Sequence, residues 1–465
     1  GMQVSLKSDD YSRPLNTNFY QLKPLVMPRS WSNGGAGGCD VADRDAATVL
    51  LRCYSGARTI APGDVLRYDF RLLITPFKMV DTRAHFSQRY FHAFAPVDTV
   101  AKVGANVINV HHRTPINPYL NYPFLRPAAM KAYIDEAHRR AMQVKIYYTV
   151  RELTDHAPEM FALQSLGHEI FSSGSGGGAS WLQEHFPTQD YTAGWYVPEI
   201  KDATVVTNGE SRWHNAYIEG LDWLARNVGI DGIYLDDVAF DRGIMQRVRK
   251  VLERRRHRPL IDLHSATQFN PADGFASSAN LYLEYFPYID RLWFGEGFDY
   301  IKTTPDYWLV EISGIPFGLM GEMLEGGGNP WRGMVYGMTN RVYNDDPAYH
   351  GDPRHLWKVW DEFGITGSTM SGYWNPRAPV TTGRADVLAT TFERPGRTMV
   401  AIGSWSADTA RVQLRVNWRA LGIDSASATI VAPAIRDFQS AATFKPGNAI
   451  TIAPGKGALL IVSAR

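Results

Sequence analysis

Two adjacent carboxylates, Asp236 and Asp237, follow a short apolar run within Gly229–Asp241. Ile233 and Leu235 share one parity of this predicted strand, and Asp236 lies on the other. In a closed barrel the aliphatic parity faces the surrounding helices, so we expect Asp236 to point inward at the carboxyl end of the strand. Capping of the following helix is the structural alternative for either aspartate. We predict that Asp236 is catalytic and that Asp237 supports it by hydrogen bonding.

A second carboxylate with a suitable position is Glu296, near the end of the predicted strand Arg291–Gly297. Aromatic residues flank it, and apolar surroundings raise the pKa of a carboxyl group as a general acid requires. Paired carboxylates about 5 to 10 Å apart are what cleavage of a glycosidic bond needs. We predict Asp236 as the nucleophile or charge-stabilising base and Glu296 as the general acid/base. Asp262 or Glu322 is the alternative acid.

Polar residues also recur at the ends of the other predicted strands, where a barrel assembles its active site. The second and third strands end near Asn109 and Glu152. The residues predicted to bind substrate or to support the catalytic pair are Asp237, Asp262, His264, His111, His112, Arg113, Arg151, Glu322 and Trp374. A buried structural role is the alternative for each histidine, and packing at the rim is the alternative for Trp374.

Alternating strands and helices predict an α/β fold with a (β/α)8 TIM barrel over residues 81–378. The eight predicted strands are Arg89–Phe94, Asn106–Arg113, Val144–Arg151, Gly229–Asp241, Pro259–Ser265, Arg291–Gly297, Pro316–Met323 and Gly367–Trp374. Amphipathic segments such as Arg126–Met142 and Trp213–Asn227 predict helices between them. A doubly wound open sheet is the structural alternative.

Segments rich in β-structure are predicted on both sides of the barrel, at residues 1–80 and 379–465. In the first, apolar residues such as Phe70 and Leu72 alternate with charged ones, which predicts a half-buried strand over Val65–Thr75. In the second, short β-runs separated by Pro-Gly turns predict an antiparallel β-sandwich.

Composition narrows the classes of protein. A chain of 465 residues with 45% hydrophobic and 20% charged residues is typical of a globular protein with more than one domain. The net charge is +1, and the basic run Arg247–Arg258 fits a solvated helix face, so no nucleic-acid partner is predicted. No apolar stretch approaches the roughly 18 residues of a membrane span. Cys39 and Cys53 either pair or stay free, and no zinc-binding spacing or cofactor motif occurs, so no metal or cofactor is predicted.

The run Asp231–Asp237, between two β-rich flanks, resembles retaining glycoside hydrolases of the α-galactosidase and endo-α-N-acetylgalactosaminidase type. In those families an aspartate ending the fourth strand is the nucleophile, and Asp236 matches it. The linker over residues 62–76 is similar to uncharacterised bacterial proteins near glycoside hydrolase family 123. That family uses an adjacent Asp-Glu pair and the substrate's own acetamido group, whereas Asp237 stands in the second place here.

The resemblance implies a carbohydrate substrate, with α-linked galactose or N-acetylgalactosamine favoured over glucose, and a periplasmic or secreted location. Oligomeric state is left open. Two other functions remain as alternatives. One is a metal-dependent hydrolase with ligands among Asp236, His111, His112, Asp262 and His264, although the His-x-His that such enzymes carry on the first strand is absent. The other is a carbohydrate-binding protein without catalysis.

Overall fold

The described residues of the N-terminal part form two antiparallel ribbons and a short helix. The computed structural model describes residues 1–7, 27–149, 152–171, 202–204, 211–236, 242–256, 258–265, 283–294, 299–323, 328–343 and 352–464. The first four strands are β1 (Met2–Lys7), β2 (Gly38–Asp45), β3 (Thr48–Tyr54) and β4 (Asp69–Ile74), and β1 pairs with β4 while β2 pairs with β3. Cys39 and Cys53 face each other across β2 and β3 and form a disulfide.

The strand predicted over Val65–Thr75 is shorter than expected, and its burial is reversed. Phe70 and Leu72 are 55% and 53% exposed, whereas Leu73 packs against the main core. The reason is that the ribbon lays the opposite parity on the barrel. On that parity Arg71 forms a salt bridge of 2.8 Å with Glu284. Alternation therefore identified a strand but not which face is covered.

Parallel strands form the barrel. Its strands are β5 (Tyr90–Phe91), β6 (Val107–Val110), β7 (Gln143–Tyr147), β10 (Gly232–Asp236), β11 (Leu260–Ser265), β12 (Arg291–Phe294) and β13 (Met320–Met323), and an antiparallel pair of short strands, β8 (Glu152–Thr154) and β9 (Asp202–Thr204), lies between β7 and β10 in the sequence. The seven parallel strands are ordered β13–β12–β11–β10–β7–β6–β5. Each of the seven overlaps a strand predicted from the sequence, and β10 is the fourth barrel strand, as predicted.

The eighth barrel position is not the predicted strand Gly367–Trp374. Asn340 bridges in parallel to Met323, and Val342 bridges in parallel to Phe91, so this short segment joins β13 to β5 and closes the barrel. The Val342 amide donates to Tyr90 O at 3.0 Å, which seals the ring. The segment 367–374 instead contains a strand that pairs antiparallel with a strand of the C-terminal sheet. It therefore belongs to that sheet and not to the parallel barrel.

Helices surround the barrel and connect its strands. The described α-helices of this part are Thr82–Ser87, Val97–Lys102, Pro127–Arg139, Met160–Gln164, Trp213–Trp223, Arg242–Arg255, Pro305–Tyr307, Pro330–Val335 and Arg354–Phe363, and two short ones, Arg29–Ser32 and Trp418–Leu421, lie in the N-terminal and C-terminal parts. The helix ahead of β10 continues through a π-helical turn, Leu224–Val228, and ends at Gly229 with φ of 88°. A left-handed residue suits glycine because it has no Cβ. That turn aims the chain directly into β10.

The C-terminal part is an antiparallel β-domain. Its strands are β14 (Thr369–Ser371), β15 (Val380–Thr381), β16 (Val387–Arg394), β17 (Arg397–Ser404), β18 (Ala410–Gln413), β19 (Arg415–Val416), β20 (Ala428–Ala432), β21 (Ala442–Phe444), β22 (Ala449–Ile452) and β23 (Gly457–Ala464). Six of them form one sheet in the order β14–β16–β17–β23–β20–β21, and β18 pairs with β22. One apolar cluster within this domain joins the inner faces, as in a sandwich.

The parity predicted around Asp236 is confirmed. Ile233 and Leu235 belong to the core between the barrel and its helices, whereas Tyr234 lies in the barrel interior with Tyr147 and Trp293. Alternate strand residues therefore divide between the two sides of the barrel wall. Among the residues described, no helix has the length and apolar character needed to cross a membrane.

Candidate active site

Asp236 is the last residue of β10, at the carboxyl end of the barrel, and it is 8% exposed. Its Oδ1 lies 2.7 Å from His264 Nδ1 and 3.5 Å from the Tyr234 hydroxyl. Its Oδ2 lies 3.1 Å from the Tyr147 hydroxyl, and its backbone amide donates to Thr149 Oγ1 at 2.9 Å. Because a carboxylate only accepts, His264 Nδ1 and the two tyrosine hydroxyls are the donors to Asp236, and they fix the orientation of the group.

A second carboxyl group lies on the far side of Tyr147. Glu152 begins β8 and is 1% exposed, and its Oε1 lies 3.0 Å from the Tyr147 hydroxyl. The side chain of Asn121 donates to the Glu152 backbone oxygen at 2.5 Å, which anchors the start of β8. Since both carboxyl oxygens are one hydrogen bond from the same phenol oxygen, they are at most about 6 Å from each other.

Aromatic rings line the barrel interior next to these carboxyl groups. His92, directly after β5, packs its ring 4.0 Å from that of Trp293 and 5.5 Å from that of Tyr343. Its Nδ1 pairs with the Asn109 side chain at 2.8 Å. Burial, together with the charge of nearby Arg341, holds the pKa of His92 well below its ordinary value. His92 is therefore a neutral ring at physiological pH.

The structure brings two of the three predicted residues after β6 to this site. The His111 ring is 4.4 Å from the Tyr147 ring and 4.2 Å from the ring of His112, which is 4% exposed. Arg113 has a φ of 62° and an exposed side chain, so it turns away from the interior. His264, also predicted, contacts Asp236 directly.

The other predicted residues fall into two groups. Asp237, Arg151 and Glu296 lie outside the described residues, so their roles and the Asp236–Glu296 separation stay predictions. Trp374 is not at the end of a barrel strand, because the strand before it belongs to the C-terminal sheet. It packs parallel to the ring of Tyr336, with centroids 6.0 Å apart, so packing is the role that the geometry supports.

Asp262 and Glu322, proposed from the sequence as alternative acids, belong to a buried ionic cluster. Lys145 and Arg341 both donate to Asp262, and Arg341 and Arg291 donate to Glu322 at 2.6 and 3.0 Å. Burial alone would raise the pKa of Asp262, but the charges of Lys145 and Arg341 outweigh it and lower that pKa. A carboxylate held ionised in this way is a poor proton donor, so the cluster fits structural support better than acid catalysis.

No cluster of three or more His, Cys, Asp or Glu side chains with metal-binding geometry occurs among the residues that the structure describes. The histidines near Asp236 pack their rings against one another and against tyrosines.

Sequence reasoning missed His92, Tyr147 and Tyr234 as parts of the site. Tyr147 pairs in register with Tyr234, which has the inward parity of Asp236. That shared parity was a usable signal, because inward tyrosines near a strand end place hydroxyl groups beside any carboxylate there. His92 gave a weaker signal, since only two residues of its strand are regular.

The chain matches three models of one family. The TIM-barrel domain of glycoside hydrolase family 123 matches residues 81–343, its C-terminal domain matches residues 352–463, and its third domain matches residues 1–76. Together they extend over nearly the whole sequence. No curated protein sequence matches the chain.

Solved structures with a similar fold include α-amylases. The α-amylase of Geobacillus thermoleovorans complexed with acarbose is 12% identical, with a TM-score of 0.53 over 83% of this chain and 100% of that one. A maltogenic α-amylase of Thermotoga neapolitana is 11% identical, with a TM-score of 0.52 over 82% and 99%. At such identities the likeness concerns the fold alone. The matched domains, by contrast, establish the relationship: the chain belongs to glycoside hydrolase family 123, and it is a glycosidase built on a TIM barrel.

Proposed function

We propose that this glycosidase cleaves an α-galactoside or an N-acetylgalactosaminide, with Asp236 as the catalytic carboxylate and Glu296 as the general acid/base. The observation that carries the assignment of Asp236 is its position at the carboxyl end of the fourth strand, with hydrogen-bond donors on both oxygens. Active sites of TIM barrels form at this end. The substrate class rests on the resemblance of Asp231–Asp237 to families that act on such sugars.

The chemistry follows from the charge that develops on the sugar. Glycoside cleavage passes through an oxocarbenium-like transition state, which an ionised carboxylate stabilises, either by charge or by attack on the anomeric carbon. His264 and Tyr147 orient the Asp236 oxygens for this role. In our proposal Glu296 protonates the departing oxygen. The half-buried rings of His111 and Tyr343 provide faces for the apolar C–H surface of a sugar.

A panel of nitrophenyl glycosides tests the proposal. We expect hydrolysis of an α-galactoside or an N-acetylgalactosaminide and little or none of glucosides. Asp236→Asn should lower kcat/KM on the order of a thousandfold, because it removes the charge without changing the shape of the side chain. Asp408→Asn, at an exposed position of the C-terminal domain, is the matched control and should keep wild-type activity. A folded protein that hydrolyses no sugar in the panel would contradict the proposal.

A further inference from the structure

A cavity of about 540 Å³ lies between the barrel and the C-terminal domain. On the barrel side it is lined by Ile301 and residues 328–332, in the segments that follow β12 and β13. On the other side it is lined by residues 405–407, after β17, and 454–456, before β23. Segments that follow parallel strands lie at the carboxyl end of a barrel, which is also the end that carries Asp236. A volume of this size accommodates a small organic ligand such as a sugar ring.

Arg332 is the buried cation of this cavity, and it is 3% exposed. Its Nη1 donates to the backbone oxygens of Tyr300 and Ile301 at 2.7 and 2.6 Å, and its Nε donates to Ser404 O at 3.0 Å. Its Nη2 donates to none of the residues that the structure describes. Neutral carbonyl oxygens therefore fix the guanidinium, and Nη2 keeps its donors for a group in the cavity.

The charge of Arg332 has no ion-pair partner in the described part of the chain. Asp299 is near enough to act on it electrostatically, but no salt bridge joins the two. The Asp299 carboxylate instead pairs with Lys302 at 3.4 Å and accepts from the backbone amides of Ile301 and Lys302 at 3.0 and 2.9 Å. A buried cation without a paired carboxylate favours an anion beside it.

A second cation, Lys456, lines the same cavity. Its side chain is exposed, and its Nζ lies 4.6 Å from the centre of the Trp331 ring. None of the described residues that line the cavity is acidic, so the charge there is positive and attracts an anion. Apolar side chains share the lining: Ile301, Pro330, Trp331, Trp405 and Pro454. Cations beside apolar surface match an acidic sugar unit, which combines an oxyanion with the apolar C–H faces of a ring.

We propose that this cavity binds an acidic sugar unit, one that carries a carboxylate or a sulfate ester on its ring. Arg332 Nη2 and Lys456 Nζ donate to the oxyanion, and the ring packs against the apolar lining. The lining residues differ from those described around Asp236, so the site does not depend on which glycosidic bond Asp236 helps to cleave. With such a site, the glycosidase holds an acidic glycan at a point apart from the bond that it hydrolyses.

Titration calorimetry with four probes tests the class of ligand. Galacturonate and galactose carrying a sulfate ester should both bind, and galactose should bind at least tenfold more weakly, because it lacks the group that the two cations recognise. Inorganic sulfate should also bind at least tenfold more weakly than the sulfated sugar, because it lacks the ring. Equal affinities for galactose and galacturonate would overturn the proposal. So would equal affinities for inorganic sulfate and the sulfated sugar.

Variants of exposed lysines locate the bound sugar. Lys456→Glu reverses a charge at the cavity and should lower the affinity for galacturonate at least tenfold. Lys445→Glu makes the same change at an exposed position of the same domain outside the cavity, and it should bind as the wild type does. Asp236→Asn should also keep the affinity, because the catalytic site is separate. Weaker binding in Asp236→Asn, with none of that loss in Lys456→Glu, would place the sugar at the catalytic site and overturn the proposal.

Arg332→Gln tests the buried cation. It removes a charged donor to the oxyanion and should lower the affinity for galacturonate by roughly ten- to a hundredfold. If this variant does not fold, a crystal structure of the wild type with galacturonate decides the point. The carboxylate should lie within hydrogen-bond distance of Arg332 Nη2, and a sugar bound only elsewhere would overturn the assignment. Binding needs no turnover, so a lack of hydrolysis would count against the proposed function and not against this site.

Discussion

In the buried ionic cluster beneath the site, burial disfavours the charge of each side chain, whereas its ion-pair partner favours it. The described cluster contains three cations, Lys145, Arg291 and Arg341, around two carboxylates and the ring of Tyr90. The cations thus exceed the carboxylates by one. Because a buried charge without a full partner is unfavourable, the residue most able to lose its proton should do so. That residue is a lysine, since arginine stays charged.

Lys145 should therefore make stability depend on pH. Burial lowers the pKa of Lys145 to about 7 from 10.5, despite the opposing charge of Asp262. Between these values the unfolded chain binds more protons than the folded one, so the free energy of unfolding rises with pH over this window. In Lys145→Met the rise should be smaller, by up to roughly 1 kcal/mol per pH unit. Urea unfolding at several pH values from 7 to 10 measures it.

The matched control for this experiment is Lys358→Met, which removes a lysine whose side chain is 75% exposed. It should keep the wild-type slope, because an exposed lysine meets the same solvent in both states. Equal slopes for the wild type and Lys145→Met would show that the buried amine stays protonated.

At the level of secondary structure, the pairing of β10 requires that its backbone approach that of β11 closely. A Cβ at Gly232 would lie 1.9 Å from the backbone oxygen of Leu260, so β10 and β11 could not keep their pairing. Gly232→Ala should lower the free energy of unfolding by about 2 kcal/mol or more, and should displace Asp236 four residues later.

Gly367→Ala is the control for this substitution, because a Cβ there meets no atom closer than 3.9 Å. Its free energy of unfolding should stay within about 0.5 kcal/mol of the wild type. Chemical denaturation of both variants measures the difference. A Gly232→Ala protein as stable as the control would mean that the strands can separate without loss.

The same strands show what sequence patterns can predict. Apolar residues on the parity that faces the helices, such as Ile233 and Leu235 in β10, helped to identify seven barrel strands. The prediction of the eighth position was wrong, because the segment Asn340–Val342 is short and its Arg341 side chain points inward to the ionic cluster. The segment 367–374 was predicted as the eighth strand instead, but parity and propensity do not reveal the partner strand. Long-range pairing is decided by packing.

For the active site, likewise, the sequence allowed some positions to be predicted but not every contact between side chains. The inward parity of Asp236 and the contact of His264 follow from strand period and strand order. The link from Asp236 to Glu152 does not, because it depends on the length of the Tyr147 side chain and on the position of β8 after the barrel strand. Side-chain reach across a barrel depends on shear and twist, which the sequence does not display locally.

At the scale of the whole molecule, the barrel and the C-terminal domain share one core. Phe86 packs its ring edge-on against Phe392 at 5.6 Å and against Trp360 at 5.3 Å, within an apolar cluster that extends from the barrel to one face of the C-terminal sheet. Trp331 stacks on Phe438 at 4.3 Å. Domains that share a large apolar interface unfold together, whereas those with small polar contacts separate.

Arg332 is one of the polar residues at that interface, and it gives the corresponding prediction. It is 3% exposed, and it donates to Ser404 O at 3.0 Å and to Tyr300 O at 2.7 Å. Burial lowers the pKa of Arg332 to about 10, so the guanidinium is still charged at neutral pH. A lysine cannot reach both carbonyl oxygens with the same geometry, so Arg332→Lys should cost about 2 kcal/mol. Exposed Arg411→Lys should cost almost nothing.

Differential scanning calorimetry distinguishes domains that unfold together from domains that unfold independently. We expect one endotherm for the barrel and the C-terminal domain in the wild type, and a single endotherm at lower temperature in Arg332→Lys. Unfolding of either domain would expose the apolar surface that the other domain packs against it, so the two domains should unfold together. Two endotherms, of which only one moves in Arg332→Lys, would show instead that the domains are stable independently. The barrel mouth around Asp236 would then depend on the barrel alone.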